Sequence, residues 1–190
     1  DWWVSDNMAH GGEYAWFAPN LDIISDQYLV LSVPGALTPA MDLSFWHFYN
    51  TETGYDGGVI EISTDGGKAW TDLGPHILEN GYDQSLLSDS TNPLAGREAF
   101  SGDSDDWIQS RVALDSYAGG EVQIRFRLAT DDIIGAWGWF VDDIQLGRTA
   151  KITNQAKVTG VTSNVTETTV FSWLPTEFVY MPLMTNFSGN

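Results

Sequence analysis

Cysteine is absent from this 190-residue sequence. Its absence excludes disulfides, thiol catalysis and the usual cysteine-based zinc sites. Basic residues are also scarce, because 8 Lys and Arg stand against 26 Asp and Glu, for a net charge of −18. Nucleic acids and anionic membranes attract clustered positive charge, so we expect neither kind of partner. A strongly acidic chain instead suits the binding of divalent cations.

Long apolar runs and catalytic signatures are missing as well. No stretch reaches the ~18 apolar residues of a membrane span, so we expect no membrane insertion. His10, His47 and His76 form no H-E-x-x-H motif, and the sequence contains no nucleophile elbow and no phosphate-binding loop before a helix. Chance carboxylate pairs are inevitable among 26 acidic residues, so they do not indicate glycoside hydrolysis. We therefore predict that the chain is not an enzyme.

Short alternating segments separated by turn residues dominate the sequence, and no long helical period intervenes. The clearest segment places Val122, Ile124, Phe126 and Leu128 on one face of a strand. This pattern predicts an all-β fold, an antiparallel β-sandwich of the jelly-roll type, with a C-terminal extended β tail. The polar stretch 74–106 is predicted as an ordered surface excursion of turns. The predicted strands are 28–33, 42–49, 58–64, 69–73, 107–114, 121–130 and 137–146.

Charge divides the chain. Residues 1–146 hold 24 acidic and 5 basic residues, whereas 147–190 hold 2 acidic and 3 basic residues. We therefore predict a jelly-roll domain over 1–146, a polar linker over 147–157 and an apolar β-strand tail over 158–190. Because the chain starts at Asp1 in sequence that already resembles a folded domain, we expect a processed N-terminus and export.

The segment Ser63 to Trp70 reads STDGGKAW and fits S-x-D-x-G-x-x-W, which resembles an Asp-box hairpin. In such a turn the Asp65 carboxylate accepts backbone N–H groups, glycine adopts positive φ and the tryptophan packs beneath the hairpin. Sialidase propellers repeat this motif in several blades, but this chain has one copy and is too short for a propeller. The motif is therefore predicted to be structural.

Four segments carry a wider resemblance: YAWFAPNLDIISDQYLVL, LSFWHFYNTETGYDGGVIEISTDGGKAW, NPLAGREAFSGDS and IRFRLATDDIIGAWGWFVDDIQL. They resemble the jelly-roll accessory modules, related to MAM domains, of secreted bacterial metallopeptidases of the immune inhibitor A and fungalysin type. The resemblance covers most of residues 13–146. It implies a jelly roll and an exported protein, located outside the cell or on its surface, but no peptidase activity.

The same resemblance implies a structural calcium ion. The matching carboxylates are Glu52 and Asp56 on one side, with Asp142 and Asp143 on the other, and Asp131 and Asp132 as further candidates. Calcium takes six to eight oxygen ligands, several of them anionic. The alternative is that these carboxylates cap turns and face solvent at the rim of the domain.

Tryptophan is frequent, with nine residues. Trp2, Trp3, Trp16, Trp137 and Trp139 are candidates for a sugar-stacking platform, although core packing is favoured for most of them. Trp46 and Trp70 are predicted to belong to the core. Trp2 and Trp3, at the terminus, are the hardest to assign to a core and are the predicted ligand-binding residues.

The apolar tail has strong β-propensity and little charge, so it must be buried somewhere. Three arrangements are open. The tail folds back onto its own sandwich, or it inserts into a neighbouring copy, or it serves as a sorting tail, since it resembles the short tails of some exported bacterial proteins. We predict the second arrangement, a structural or adhesive subunit of a homopolymeric filament. The alternative function is a carbohydrate- or protein-binding accessory module of a secreted hydrolase. The predicted assembly residues are Phe171, Trp173, Phe178, Tyr180 and Leu183.

Overall fold

The fold is seen in a computed structural model, which describes residues 1–154, 157–158, 161–162 and 166–172, with side chains as far as Arg148. Fifteen strands and two short 3-10 turns make up these residues, and no helix among them is long and apolar enough to cross a membrane. The strands are β1 (Trp3–Ser5), β2 (Ala15–Pro19), β3 (Ser25–Ala36), β4 (Met41–Asn50), β5 (Gly57–Ser63), β6 (Thr71–Asp72), β7 (Ile77–Glu79), β8 (Gln84–Ser85), β9 (Glu98–Ala99), β10 (Ile108–Ala113), β11 (Glu121–Thr130), β12 (Gly138–Asn154), β13 (Lys157–Val158), β14 (Val161–Thr162) and β15 (Thr166–Ser172).

Two antiparallel sheets form the sandwich. Sheet I has the order β1-β2-β12-β4-β10-β7, with β15 also beside β12, and sheet II has the order β3-β11-β5-β6. Neighbouring strands are mostly distant in sequence, as in β12 beside β2 and β4. The prediction of an all-β antiparallel sandwich is confirmed.

The core lies between the two sheets and follows the alternation of the strands. On β11, Val122, Ile124, Phe126 and Leu128 all point inward and are buried, as predicted. Trp139 on β12 packs against Phe126, with ring centroids 5.7 Å apart. Phe45 on β4, Ile60 on β5 and Phe100 after β9 pack into the same cluster, so the interior is strongly aromatic.

Gly58 on β5 makes room for this packing. A Cβ atom added at Gly58 would lie 2.3 Å from Cζ3 of Trp139, so only glycine fits beneath the indole.

A buried polar chain crosses the same core. Trp139 Nε1 donates to His47 Nδ1 at 3.3 Å, so the His47 hydrogen resides on Nε2 and is donated to Ser110 Oγ at 2.9 Å. Ser110 Oγ in turn donates to the Asn80 carbonyl at 2.6 Å. Burial lowers the pKa of His47 to about 3, so this imidazole is neutral at physiological pH.

The STDGGKAW hairpin has the geometry that the sequence predicts. Asp65 Oδ1 accepts the N–H groups of Lys68 and Ala69, both at 3.0 Å, and the Ser63 hydroxyl at 2.8 Å. These bonds hold the pKa of Asp65 below its usual value. Trp70 is half-buried on the outer face of sheet II, 4.3 Å from the Arg125 guanidinium. The prediction that Trp70 belongs to the core is therefore wrong.

The outer face of sheet II is organised by one buried carboxylate, that of Glu61. Its oxygens form ion pairs with Arg97 at 2.7 Å, Arg125 at 2.6 Å and Arg127 at 3.5 Å. The excursion after β6 folds over the neighbouring part of this face, where Leu86 and Leu94 pack in a second small apolar cluster. The predicted surface excursion thus covers one face of the sandwich.

Beyond Leu146 the chain continues without interruption as strand. β12 runs to Asn154, so 147–154 is strand where a polar linker was predicted. The backbone of β15 pairs antiparallel with this extension in the same chain, from Arg148 opposite Ser172 to Asn154 opposite Thr166. Phe171 lies opposite Thr149, whereas the other predicted assembly residues, Trp173, Phe178, Tyr180 and Leu183, fall outside the described residues.

Candidate functional site

Three carboxylates meet at one end of the sandwich. Glu52 and Asp56 lie on the turn between β4 and β5, and Asp131 directly follows β11. One oxygen of each lies within 4.8 Å of the others, and Asp56 and Asp131 are buried. We name this cluster the carboxylate triad. Glu52, Asp56 and Asp131 were all predicted as metal ligands.

Asp56 organises the backbone around the triad. Its Oδ2 accepts Asn20 Nδ2 at 2.5 Å, and its Oδ1 accepts the Asp131 N–H at 2.6 Å. Asp131 Oδ1 accepts the Ile133 N–H at 3.0 Å. Glu52 receives a backbone hydrogen bond from Ile134, yet its Oε2 is shielded from solvent without any hydrogen-bond partner. Buried acceptor atoms are normally paired with a hydrogen-bond donor or a cation, and Glu52 Oε2 lacks such a partner.

The electrostatics of the triad are unfavourable without a cation. Burial, followed by the charges of Asp131 and Asp56, raises the pKa of Glu52. Burial also raises the pKa of Asp56, with the Asp131 charge adding to it and the hydrogen bonds from Asn20 and Asp131 opposing it. None of the ion pairs within residues 1–148 includes a member of the triad.

The donor set fits a hard cation. Calcium takes oxygen ligands, carboxylates among them, in flexible geometry, and the triad supplies three carboxylates together with one unpartnered buried oxygen. Glu52, Asp56 and Asp131 are therefore the residues that would hold such an ion. It would join the turn after β4 to the loop after β11.

Asp142 and Asp143 do not join the triad. A β-bulge interrupts β12 between Asp142 and Gln145, and Asp143 adopts φ +46°. Asp142 Oδ2 accepts the N–H groups of His10 and Gly11 at 2.9 and 3.0 Å, while Asp143 Oδ2 lies 2.8 Å from His10 Nδ1. Their assignment beside Glu52 and Asp56 is thus corrected, because both carboxylates anchor the loop before β2.

Asp132, the remaining candidate, also lies apart from the triad. Its Oδ1 accepts the Thr91 hydroxyl at 2.8 Å.

The tryptophans also differ from the prediction. Trp2 is only 7% exposed and packs against Trp139 with centroids 5.5 Å apart, so it belongs to the core and presents no open face to a ligand. Trp3, its neighbour, points to the opposite side and is 45% exposed. Trp46 lies on the outer face of sheet I, half-buried, with the His10 imidazole stacked parallel to it at 3.8 Å.

A row of aromatic rings crosses the outer face of sheet I. Trp3, Phe17, Phe140 and Phe48 are consecutive partners across β1, β2, β12 and β4. Their neighbouring centroids lie 4.9, 4.2 and 6.4 Å apart. Trp107 and Trp137 extend the row beyond Phe48, at 6.4 and 6.2 Å. We name these residues the aromatic strip: Trp3, Phe17, Phe48, Trp107, Trp137 and Phe140.

The strip presents open rings at its ends. Trp137 is 66% exposed, Trp3 is 45% exposed and Trp107 is half-buried, whereas Phe140 in the middle is covered by its neighbours. The strip therefore has a packed base and accessible tryptophans on both sides. Sequence reasoning identified Trp3 and considered Trp137, but missed Trp107, Phe17, Phe48 and Phe140. Only the register between distant strands brings these rings together.

One serine–histidine pair has a hydrogen-bond distance typical of nucleophile activation, His47 and Ser110 at 2.9 Å. Both residues are fully buried, and the Ser110 hydroxyl already donates to the Asn80 carbonyl. No substrate can reach this serine without unfolding of the core. The pair is a structural element.

A model of the immune inhibitor A-like MAM domain matches residues 8–169. The chain belongs to this family. The match confirms the resemblance seen in the four sequence segments, and it extends across β12 into β15.

The chain is also 25% identical over 114 residues to Bacillopeptidase F of Bacillus subtilis (strain 168), a match that covers 57% of this chain and 6% of that protein. This domain thus corresponds to a small part of the relative.

Two solved structures are similar in fold. One is TmCBM61 in complex with β-1,4-galactotriose, with 18% identity, 77% of this chain and 88% of that chain covered, and a TM-score of 0.44. The other is the K2 cleaved adhesin domain of Lys-gingipain, with 23% identity, 74% and 75% covered, and a TM-score of 0.43.

Proposed function

We propose that this MAM-type domain is a non-catalytic, extracellular accessory module that binds polysaccharide through the aromatic strip. The observation that carries the proposal is the row of rings across sheet I, with Trp3 and Trp137 open to solvent and Trp107 half-buried. The family match and the relationship to part of Bacillopeptidase F support an accessory role in an exported protein.

Sugar rings suit such a surface because their C–H faces stack on aromatic rings without requiring charge. A monomeric domain seldom leaves several large aromatics exposed on one sheet face unless that face contacts a partner. The rings at the base of the strip hold one another in place, so the open tryptophans are preorganised and lose little side-chain entropy on binding.

The carboxylate triad is proposed as a structural calcium site that supports the strip. Asn20 links the two features: its Nδ2 donates to Asp56, its backbone N–H donates to the Trp137 carbonyl at 3.4 Å, and its carbonyl accepts the Ala136 N–H at 3.2 Å. A cation at the triad would thereby steady the loop that presents Trp137. We expect chelator to lower the melting temperature by several degrees, and an unchanged melting temperature would count against the site.

The binding proposal is tested by mixing the protein with insoluble neutral, amino-bearing or acidic polysaccharide and measuring how much protein is lost from the supernatant. Wild type should be retained by at least one of them. Trp137→Ala and Trp3→Ala should each weaken retention several-fold, because every lost stacking contact is worth about 1 kcal/mol. Tyr28→Ala is the matched control, since Tyr28 is an exposed aromatic on the opposite sheet. Loss of retention in this control, or no retention of wild type, would refute the proposal.

Filament assembly through the tail is the second hypothesis, and the pairing of β15 with β12 in one chain favours the binding module over it. The assembly residues beyond Ser172 remain predictions. Size-exclusion chromatography of full-length protein and of a variant lacking 166–190 separates the two hypotheses. Concentration-dependent oligomers that require the tail would support the filament, and a full-length monomer would exclude it.

A further inference from the structure

Acidic side chains border the aromatic strip on two sides. Asp105 and Asp106 are exposed and directly precede Trp107. Asp103 is exposed and lies beside Trp137, because Asn50 donates to Asp103 Oδ2 at 2.7 Å and accepts the Trp137 N–H at 3.3 Å.

On the other side, Asp142 follows Phe140 by two residues on the same face of β12, opposite Trp46. Asp143 is next to it and contacts His10. We name these five residues the acidic border: Asp103, Asp105, Asp106, Asp142 and Asp143.

Positive charge is nearly absent from the same surface. Sheet I has two arginines within residues 1–148. The Arg111 guanidinium is engaged by Asp42 at 2.9 Å and Glu79 at 2.5 Å, and Arg148 on β12 donates to the Thr38 hydroxyl at 3.4 Å. Arg97, Arg125 and Arg127 are ion-paired on the outer face of sheet II. Two further groups near the strip can carry positive charge among residues 1–148: His10, which is paired with Asp143, and the N-terminal ammonium group of Asp1, which donates to Gln27 Oε1 at 2.9 Å.

We propose that the strip selects polysaccharides that carry free amino groups, such as polymers of glucosamine, over neutral and acidic ones. The inference rests on the proposed function and adds the class of ligand. An ammonium group on the sugar would lie near the carboxylates of Asp105 and Asp106 and over the face of Trp107, which attracts cations through its ring quadrupole. Acidic sugars would meet the same carboxylates with like charge and no compensating arginine.

The charge of the whole chain acts in the same direction. A net charge of −18 repels polyanions and a second copy of this chain, and it attracts polycations over about one Debye length. Selectivity should therefore decrease with added salt, whereas the stacking contribution should persist.

The test compares three soluble hexasaccharides by isothermal titration calorimetry at mildly acidic pH and low salt: the glucosamine hexamer, its fully N-acetylated counterpart and the galacturonic acid hexamer. We expect the glucosamine hexamer to bind tightest and the galacturonic acid hexamer not to bind. The double variant Asp105→Asn/Asp106→Asn should weaken glucosamine binding about three- to tenfold and leave the acetylated ligand nearly unchanged. Asparagine keeps the acceptor for the Trp107 N–H and tolerates the positive φ of Asp105.

The control double variant Asp89→Asn/Glu121→Gln removes the same charge from exposed positions outside the acidic border and should have little effect. Equal affinity for the glucosamine and acetylated hexamers, in wild type, would overturn the amino-group inference and leave polysaccharide binding intact. If no hexamer binds while the depletion assay retains the protein on a neutral polysaccharide, the inference fails and the proposed function stands. If both assays are negative, the proposed function fails with it.

Discussion

Replacing Glu52 by glutamine should change stability with opposite signs in chelator and in calcium. In chelator the substitution removes one of three clustered negative charges, so the variant should be more stable than wild type. In calcium the substitution removes an anionic ligand, so the variant should be less stable. Glutamine keeps the size of the side chain, which limits any effect of packing.

The magnitudes follow from the geometry of the triad. Two unit charges 4.8 Å apart repel by about 3 kcal/mol at an effective dielectric constant of ~20. Glu52 is half-buried, so solvent and salt reduce the gain from its neutralisation to about 1–2 kcal/mol. Calcium at about 100 times its dissociation constant stabilises wild type by about 2.7 kcal/mol. For a domain of this size 1 kcal/mol corresponds to about 2–4 °C in melting temperature.

Thermal unfolding followed by tryptophan fluorescence measures both effects. In EDTA, Glu52→Gln should melt about 2–8 °C above wild type. Calcium should raise the melting temperature of wild type by about 5–10 °C, and most of this rise should be absent in Glu52→Gln. Glu121→Gln is the control and should leave both values unchanged, because Glu121 is an exposed carboxylate at the start of β11, at the opposite end of the strand from Asp131. A Glu52→Gln variant that is destabilised equally with and without calcium would show that Glu52 acts as a turn-forming residue rather than as a ligand.

Two further predictions concern the core. The folded-state pKa of His47 is about 3 and that of an unfolded histidine is about 6.5, so between these pH values only the unfolded state binds the proton. The free energy of unfolding should therefore fall by about 1.4 kcal/mol for each pH unit below ~6.5. His47→Gln should lose this component of the pH dependence in urea titrations at pH 7, 6 and 5, and an unchanged pH dependence would contradict the assignment. Gly58→Ala should lower the melting temperature by about 3–10 °C, because its Cβ would clash with the Trp139 indole, while Gly81→Ala, with its nearest neighbouring atom 3.7 Å away, should change it little.

Strands with strict alternation were predictable from sequence. β11 was predicted with both of its ends, because Val122 to Leu128 alternate without exception over a buried face. The short strands β1 and β2 were not predicted, since three and five residues show too little periodicity. β2 is held by pairing with β12, a contact that spans more than a hundred residues, and β1 pairs in turn with β2.

The candidate sites show the same division. Glu52 and Asp56 were predicted together because the family resemblance implies a calcium ion beside the carboxylates of that turn, and Asp131 was a further candidate for the same site. Asp142 and Asp143 were placed wrongly because a bulge, invisible in the residue pattern, redirects their side chains towards the loop before β2.

The two terminal tryptophans illustrate a different limit of sequence reasoning. Alternation places Trp2 and Trp3 on opposite faces, but only the position of sheet II determines that Trp2 is the buried one.

Hydroxyl-radical footprinting of the tryptophans, with and without a polysaccharide that retains the protein, tests the central claim most directly. Binding at the aromatic strip predicts protection of Trp107 and Trp137, with Trp70 on the opposite sheet equally oxidised in both samples. Protection of Trp70 instead, or oxidation of Trp107 and Trp137 that bound polysaccharide leaves unchanged, would contradict a binding surface on sheet I.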